Sequence, residues 1–384
     1  MFKIFKIFII TVVFSLSCYS ISFANSEKIK VGLLIPMTGE NKNLGHLVIK
    51  SIKLALEDIG TDNIEIYPKN TDSDPNKTLQ SAIELKNKGI KIVIGPIFFK
   101  NLIYLDQLED IIFLSLTNKT IDIPKNVISS GINSTSQIKA IKKFLSSNEI
   151  KKTLFLIPKL NYENEIKKGI KLSKLKTSKI FTYDTEPTKL TKQIEKITNY
   201  KIRKQNLEDE ITRLEKSDDP NKEKKIKNLE KRYTIGKVKY DSFIIADFEE
   251  SLKSVTTSLL YTDISPKKKY FITLNQWFEE SIIKEKNLQP IYYPSINKKN
   301  FDEFKDRFYA EYNFIPNHLS ILSYDLVGLI YYLSLNNDFS NLNNLFKKEN
   351  VFKGKIGIFE IKDKEINHEL NFYMIEDNKF IEIF

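Results

Sequence analysis

The chain holds one cysteine, Cys18, and three histidines, His46, His318 and His368, in 384 residues. A single thiol excludes a disulfide framework and a thiolate metal cluster. The histidines form no pair at ligand spacing, so a His-based zinc site is not expected. Glycine is also scarce, 12 residues in all, well under the usual ~7% of a chain. That leaves little room for Gly-rich phosphate loops. No Walker loop and no G-x-S-x-G nucleophile elbow is present. No cofactor, metal or enzymatic activity is expected. Past residue 16 no run is apolar enough to cross a bilayer.

What the chain has in excess is lysine. Sixty Lys plus Arg stand against 49 Asp plus Glu, a formal net charge of +11. The lysines are spread along the chain rather than gathered into one stripe. They therefore read as a composition bias, and nucleic acid is not an expected partner. At 41% hydrophobic and 28% charged the composition is that of a folded chain. The length fits two to three compact units of roughly 150 residues each.

Residues 1–24 read as an export signal. Lys3 and Lys6 precede the apolar run Ile7 to Leu16, and Ser22-Phe23-Ala24 offers a small-x-small cleavage site. Cys18 opens a lipoprotein alternative, although Ser15 stands where a lipobox has Leu. Cleavage after Ala24 is the favoured reading, and either route places the mature chain outside the cytoplasm.

From Lys28 strands and helices alternate. Lys28 to Met37 reads as a strand buried on both faces, and Asn63 to Tyr67, Ile90 to Ile97 and Ile111 to Leu116 read as the second, third and fourth strands. Leu44 to Ile59 repeats apolar residues at three- and four-residue steps, as a helix does. Asp74 and Pro75 cap and open the next helix, which Gly89 closes. Four strands with three interposed helices imply a parallel sheet. A second series has strands at Thr153 to Ile157, Lys179 to Tyr183, Asp241 to Asp247 and Tyr270 to Leu274, with a helix at Glu163 to Leu175. Two α/β units of one plan bind ligands best at the carboxyl ends of their strands. The expected cleft loops are Thr38 to Gly45, Pro96 to Lys100 and Ser115 to Thr120 in the first unit. In the second they are Lys159 to Tyr162, Asp247 to Glu250 and Asn275 to Phe278.

Residues 203–233 stand apart as a densely charged insertion. Leu207, Ile211 and Leu214 precede a turn at Ser217 to Asn221, and Ile226, Leu229 and Tyr233 follow it. Each arm carries one narrow apolar stripe, which predicts a helical hairpin. It is either a solvated hairpin whose arms bury only each other or a docking arm for another protein.

These residues resemble a known family. Gly32 to Gly39 (GLLIPMTG), Leu44-Gly45 and Leu54-Ala55 are similar to the opening of type I periplasmic solute-binding proteins, in particular the Leu/Ile/Val-binding branch. Asp72-Ser73-Asp74-Pro75, Val93 to Pro96, Tyr293-Pro294-Ser295, Phe304 to Tyr312, Pro316, Tyr324-Asp325 and Phe352 to Gly357 follow in the family's order. The resemblance implies an α/β fold of two hinged lobes, each a doubly wound, mostly parallel sheet, with the charged hairpin inserted. It places residues 27–131 and 297–351 in lobe one, and 132–296 and 352–384 in lobe two. It implies a small-molecule ligand, such as an amino acid, gripped by a monomer and delivered to an ABC permease. The chain departs from the family at Ile97-Phe98-Phe99-Lys100, where amino-acid binders present hydroxyls to a carboxylate. That departure and the hairpin resemble a second branch on the same fold, the penicillin-binding-protein activators. Those work by contact with a cell-wall synthase.

Candidate ligand-binding residues are Phe98 and Phe99 as ring walls and Ser115 and Thr117 as hydroxyl donors. Trp277 is a candidate stacking ring, Tyr162 a residue within reach of the cleft, and Asp247 and Glu249 are the candidate carboxylates for an ammonium. His46 reads as a surface residue and Tyr324-Asp325 as part of a packed helix.

Overall fold

The computed structural model describes residues 28–279, 281, 284–335, 342–347 and 349–384. The expected export signal at residues 1–24, with Cys18, lies outside them. Among the described residues no helix is long and apolar enough to cross a membrane.

The first strand, β1 (Ile29–Ile35), is buried almost throughout. Val31, Leu33 and Ile35 face one core, while Leu34 faces another. That two-sided burial is why its sequence is continuously apolar. It pairs in parallel with β2 (Ile64–Asn70) and β3 (Ile92–Ile94), and β4 (Ile112–Ser115) and β5 (Val127–Ser129) extend the sheet in the order β2-β1-β3-β4-β5. Helix α1 (Lys42–Ile59) ends at Gly60 in the left-handed conformation. Helix α2 (Pro75–Asn87) opens under the Asp74 carboxylate, which accepts the Lys77 N–H at 2.8 Å. Two glycines of the opening motifs have steric reasons. A Cβ at Gly45 would sit 1.8 Å from the Pro36 carbonyl oxygen, and one at Gly95 (φ +98°) 2.2 Å from that of Leu34.

The helix expected between the third and fourth strands is not there. Two 3₁₀ turns, Phe99–Leu102 and Leu105–Gln107, take its place. Leu102, Leu105 and Leu108 are all buried at three-residue spacing, the period of a 3₁₀ helix rather than an α-helix. Strand β5 has only three residues and leaves no alternation for a sequence reading to find.

Lobe two begins with α3 (Ser134–Ser147) and β6 (Thr153–Pro158), then α4 (Glu163–Ser173), β7 (Lys179–Tyr183) and α5 (Pro187–Ile197). After α6 (Tyr200–Glu215) and α7 (Lys222–Leu229) come β8 (Ser242–Ile245), α8 (Glu249–Tyr261), β9 (Tyr270–Thr273) and β10 (Ile291–Ser295). Strands β7-β6-β8-β9-β10 repeat the order of the first sheet. The chain then returns to lobe one as α9 (Lys298–Tyr312) and α10 (His318–Ser334), the latter packed against α1. Helix α11 (Leu342–Leu345) leads into a three-stranded meander of β11 (Asn350–Lys353), β12 (Ile358–Lys362) and β13 (Glu365–Glu369). Strands β14 (Asn371–Glu376) and β15 (Lys379–Glu382) close the second sheet antiparallel, β14 beside β10.

The charged hairpin is formed by α6 and α7, which pack on each other. Leu207 and Leu214 are buried, and Ile211, Ile226 and Leu229 are half-buried. Tyr233 is the exception to the expected stripe. Helix α7 ends at Leu229, so the four-residue step does not reach Tyr233, which is 76% exposed.

Candidate functional site

The carboxyl ends of both sheets meet at one cleft of about 560 Å³. Lobe one contributes Leu44, the turn Ile97-Phe98-Phe99, and Leu116-Thr117-Asn118 after β4. Lobe two contributes Phe248-Glu249 after β8 and Asn275-Gln276-Trp277 after β9. Five of the six expected cleft loops are therefore present; Lys159 to Tyr162 does not line it. The sequence reading missed Gly131, Ile132 and Gln137 at the first crossover, and His318, Leu319 and Leu322 at the start of α10. His318, with Leu319 and Leu322, lies far along the chain from the other lobe-one contributors, and it carries no local motif.

Phe98, Phe99, Thr117 and Trp277 line the cleft. Ser115, Tyr162 and Asp247 do not. Ser115 is fully buried and its hydroxyl donates to the Pro96 carbonyl at 2.8 Å, so it braces the turn beneath the cleft. Asp247 is buried and already satisfied. It accepts from the Tyr183 hydroxyl at 2.6 Å, the Phe248 N–H at 3.0 Å and the Tyr162 hydroxyl at 3.4 Å. Burial raises its pKa above the ordinary carboxylate value, and those three donors partly oppose the shift. Buried away from the cleft lining, it is not placed to meet a ligand ammonium. Tyr162 is consumed by the same network and meets Phe248 edge-on at 6.1 Å.

The two lobes touch across the cleft through Trp277. Its indole stacks on the His318 imidazole with ring centroids 4.6 Å apart and 23° between planes. Trp277 and Phe278 hold φ of +51° and +60°, a conformation costing non-glycine residues about 1–3 kcal/mol. The Asn275 side chain fixes this turn: its Oδ1 accepts the Trp277 N–H and the Ser295 hydroxyl, each at 2.9 Å. Its Nδ2 is buried without a hydrogen-bond partner. Gln137 ties the crossover to the same turn, accepting the Asn275 N–H at 2.9 Å. His318 reaches solvent through the cleft mouth, yet the enclosing protein disfavours its charged form and lowers its pKa.

The charge of the lining is one-sided. Glu249 and Glu279 are exposed carboxylates, and no Lys or Arg lines the cleft among the described residues. Lys119 stands behind it with its ammonium 4.7 Å from the centre of the Phe99 ring. An amino-acid carboxylate would find no partner cation inside.

Beside the cleft a brace joins the lobes. Glu165, on α4 of lobe two, is 8% exposed. Its carboxylate accepts the Thr120 and Ile121 N–H groups at 2.8 Å each and the Thr120 hydroxyl at 2.9 Å. Those acceptors hold a lobe-one loop. Lys168, one turn along α4, donates to the Thr120 carbonyl at 3.1 Å and pairs with Glu365 at 3.3 Å. At the crossovers, His368 Nε2 bonds the Ser130 carbonyl at 2.8 Å. Asp325 accepts the Lys355 and Ile356 N–H groups at 2.7 Å each. Among the described residues no group of His, Cys, Asp or Glu is arranged to hold a metal ion.

The sequence matches no protein-family model and no curated protein. Solved structures are similar in shape. The C-domain of LpoA from Haemophilus influenzae, described as a regulator of PBP1A, superposes with a TM-score of 0.61 at 13% identity, over 92% of this chain and 100% of that domain. Against full-length LpoA the chain spans 60% of the other's length, at 15% identity, 94% coverage of this chain and a TM-score of 0.61. An ABC transporter substrate-binding protein from Desulfitobacterium hafniense, in complex with Leu, gives a TM-score of 0.59 at 14% identity, over 93% of this chain and 100% of that one. With its two lobes, repeated sheet order and cleft at the strand ends, the chain has the type I periplasmic binding protein fold, which solute-binding proteins and the LpoA regulator share.

Proposed function

We propose that this chain is an extracytoplasmic two-lobe binding module that acts by protein contact, regulating a cell-wall synthase as LpoA is described to regulate PBP1A. The observation that carries this reading is the Glu165 brace. A transport cycle needs lobes that open and close on a solute. Here a buried carboxylate spans the lobes with three hydrogen bonds, and the Trp277–His318 stack adds a second bridge. The absence of a lining cation and the charged hairpin point the same way. In this reading the hinge runs through residues 131–133, 296–298 and 352–357, with lobes divided as the family resemblance implies. The test is synthesis of wall polymer by the cell's own penicillin-binding synthase, with and without this protein. Several-fold stimulation is expected. Unchanged synthesis, with no capture of the synthase on the immobilised protein, defeats the proposal.

A second reading, the solute-binding subunit of an ABC uptake system, is favoured by the cleft itself. Its volume suits a small molecule, with Phe98, Phe99 and Trp277 as walls, Thr117 as a donor and the unpartnered Asn275 amide nearby. It predicts that some amino acid, peptide or aromatic acid raises the melting temperature and compacts the particle in X-ray scattering. A panel of such solutes without a shift removes it.

A further inference from the structure

At the opposite pole of lobe two lies a second concavity, of about 890 Å³, between the hairpin base and the sheet. It borders the amino ends of the strands: Lys152 precedes β6, Asp241 precedes β8 and Lys269 precedes β9. The cleft lies at their carboxyl ends, so the two surfaces are separate.

The groove is strongly basic. Lys152, Lys231, Arg232, Lys237, Lys239 and Lys268 line it, all exposed. None has an ion-pair partner among the described residues. Its two carboxylates are already engaged. Asp241 pairs with Lys269 at 3.5 Å, and Asp263 accepts the Thr234 hydroxyl at 2.7 Å. Six uncompensated cations on one concave face go beyond the chain's general lysine bias, and a low-dielectric wall focuses their field.

The groove's rim is a built loop with an open backbone. Arg203, buried at the base of α6, donates to the Thr198 carbonyl at 3.1 Å, the Thr234 hydroxyl at 2.8 Å and the Thr262 carbonyl. Gly236, at φ +117°, turns the chain over Arg203. From Tyr233 to Lys239 the one backbone–backbone hydrogen bond among the described residues is Ile235 N–H to the Arg203 carbonyl, 3.1 Å. Lys237 and Lys239 are exposed while Val238 between them is half-buried, and the segment is irregular rather than part of a sheet. Tyr233 stands over the groove as an exposed ring.

We propose that this basic groove, formed by the hairpin base, residues 231–239 and the amino ends of β6, β8 and β9, is a docking site for an extended acidic polypeptide segment of a protein partner. The cations supply attraction and on-rate. The N–H and C=O groups of residues 236–239, which make no backbone–backbone hydrogen bond among the described residues, supply strand-like pairing. A flat anionic bilayer cannot enter a recess or pair with that backbone, so a lipid surface is the disfavoured occupant. The proposal names the surface and chemistry of the partner in the protein-contact reading, and rests on it only for the partner being a protein.

The experiment uses the full mature chain and a fluorescently labelled, capped peptide of about ten residues alternating Glu and Thr, long enough for a short strand. Anisotropy should show binding that weakens as salt rises. The variant Arg232→Glu, Lys237→Glu, Lys239→Glu should lose about tenfold or more in affinity, with its melting temperature kept. A control with the same charge change elsewhere, Lys91→Glu, Lys176→Glu, Lys305→Glu, should lose much less. A backbone N-methylated peptide should bind more weakly than its parent. No binding at low salt, equal loss in both triple variants, equal binding of the N-methylated peptide, or full displacement by phosphatidylglycerol vesicles would each overturn the proposal. The synthase assay is read independently. Failure of stimulation with peptide binding intact removes the regulator reading alone; stimulation by the groove variant at full strength removes the groove.

Discussion

Replacing Glu165 by Ala tests the brace directly. The carboxylate accepts three hydrogen bonds at 2.8–2.9 Å from the 120–121 loop. Bonds to a charged group are worth about 1.5–3 kcal/mol each at most, and deletions within one network do not add. The loop is half-buried, so water recovers part of the loss at the freed amides. A net cost of about 2–3 kcal/mol follows, or a drop of roughly 3–4 °C in melting temperature for a chain of this size. The structural consequence is more telling. Without the brace the lobes are joined beside the cleft by the crossovers, Lys168 and the Trp277–His318 stack, so the radius of gyration in X-ray scattering should rise. Glu165→Gln keeps an acceptor for both amides, and its new N–H₂ can face the Thr120 hydroxyl oxygen. It should cost about 1 kcal/mol or less and leave scattering unchanged. Urea unfolding and scattering on both variants provide the measurement. An Ala variant within about 0.5 kcal/mol of the parent, with the same scattering curve, would refute the brace.

Three further perturbations have defined outcomes. Burial pushes the Asp325 pKa up to about 7 and the His368 pKa down to about 4. The raised Asp325 contributes stability that is full below the unfolded carboxylate pKa and lost as pH rises towards 7; the depressed His368 contributes stability that is full above the ordinary histidine value and lost as pH falls towards 4. The two slopes oppose each other, so Asp325→Asn should unmask an acid loss of up to about 1.4 kcal/mol per pH unit, read by urea unfolding across that window. The single tryptophan, Trp277, rests on His318. Its fluorescence should be quenched on acidification with a midpoint below the usual histidine value, following the lowered pKa, and His318→Gln should abolish that step. Arg203→Met strips three hydrogen bonds from buried carbonyl and hydroxyl partners. It should cost about 3 kcal/mol in urea unfolding and speed hydrogen exchange across residues 233–239; unchanged exchange there would mean the loop does not depend on Arg203.

Most of the scaffold is legible in the chain. Strands buried on both faces read as apolar runs, Asp74-Pro75 marks a helix start, and Gly45 and Gly95 sit where no side chain fits. The hairpin is visible in its apolar stripes up to Leu229. The 3₁₀ turns were missed because Leu102, Leu105 and Leu108 at three-residue steps also suit one helical face. Strand β5 was missed because three residues carry no period.

The site was readable only in part. Strand-end loops are given by the α/β alternation, so Phe98, Phe99, Thr117 and Trp277 could be placed at a cleft from sequence. Whether a polar side chain there is free or spent depends on neighbours that the chain supplies from elsewhere. Asp247 is spent on Tyr183 and Tyr162, and Ser115 on Pro96. His318 against Trp277, Glu165 on the 120–121 loop and the lysines gathered around residues 231–239 are likewise products of folding. Periodicity is a local property, set by which face of a helix or strand must be dry, and the sequence holds it whole. Hydrogen-bond partnership and the summed field of charges are set by distances between residues far apart along the chain, and only the folded arrangement of the lobes decides those.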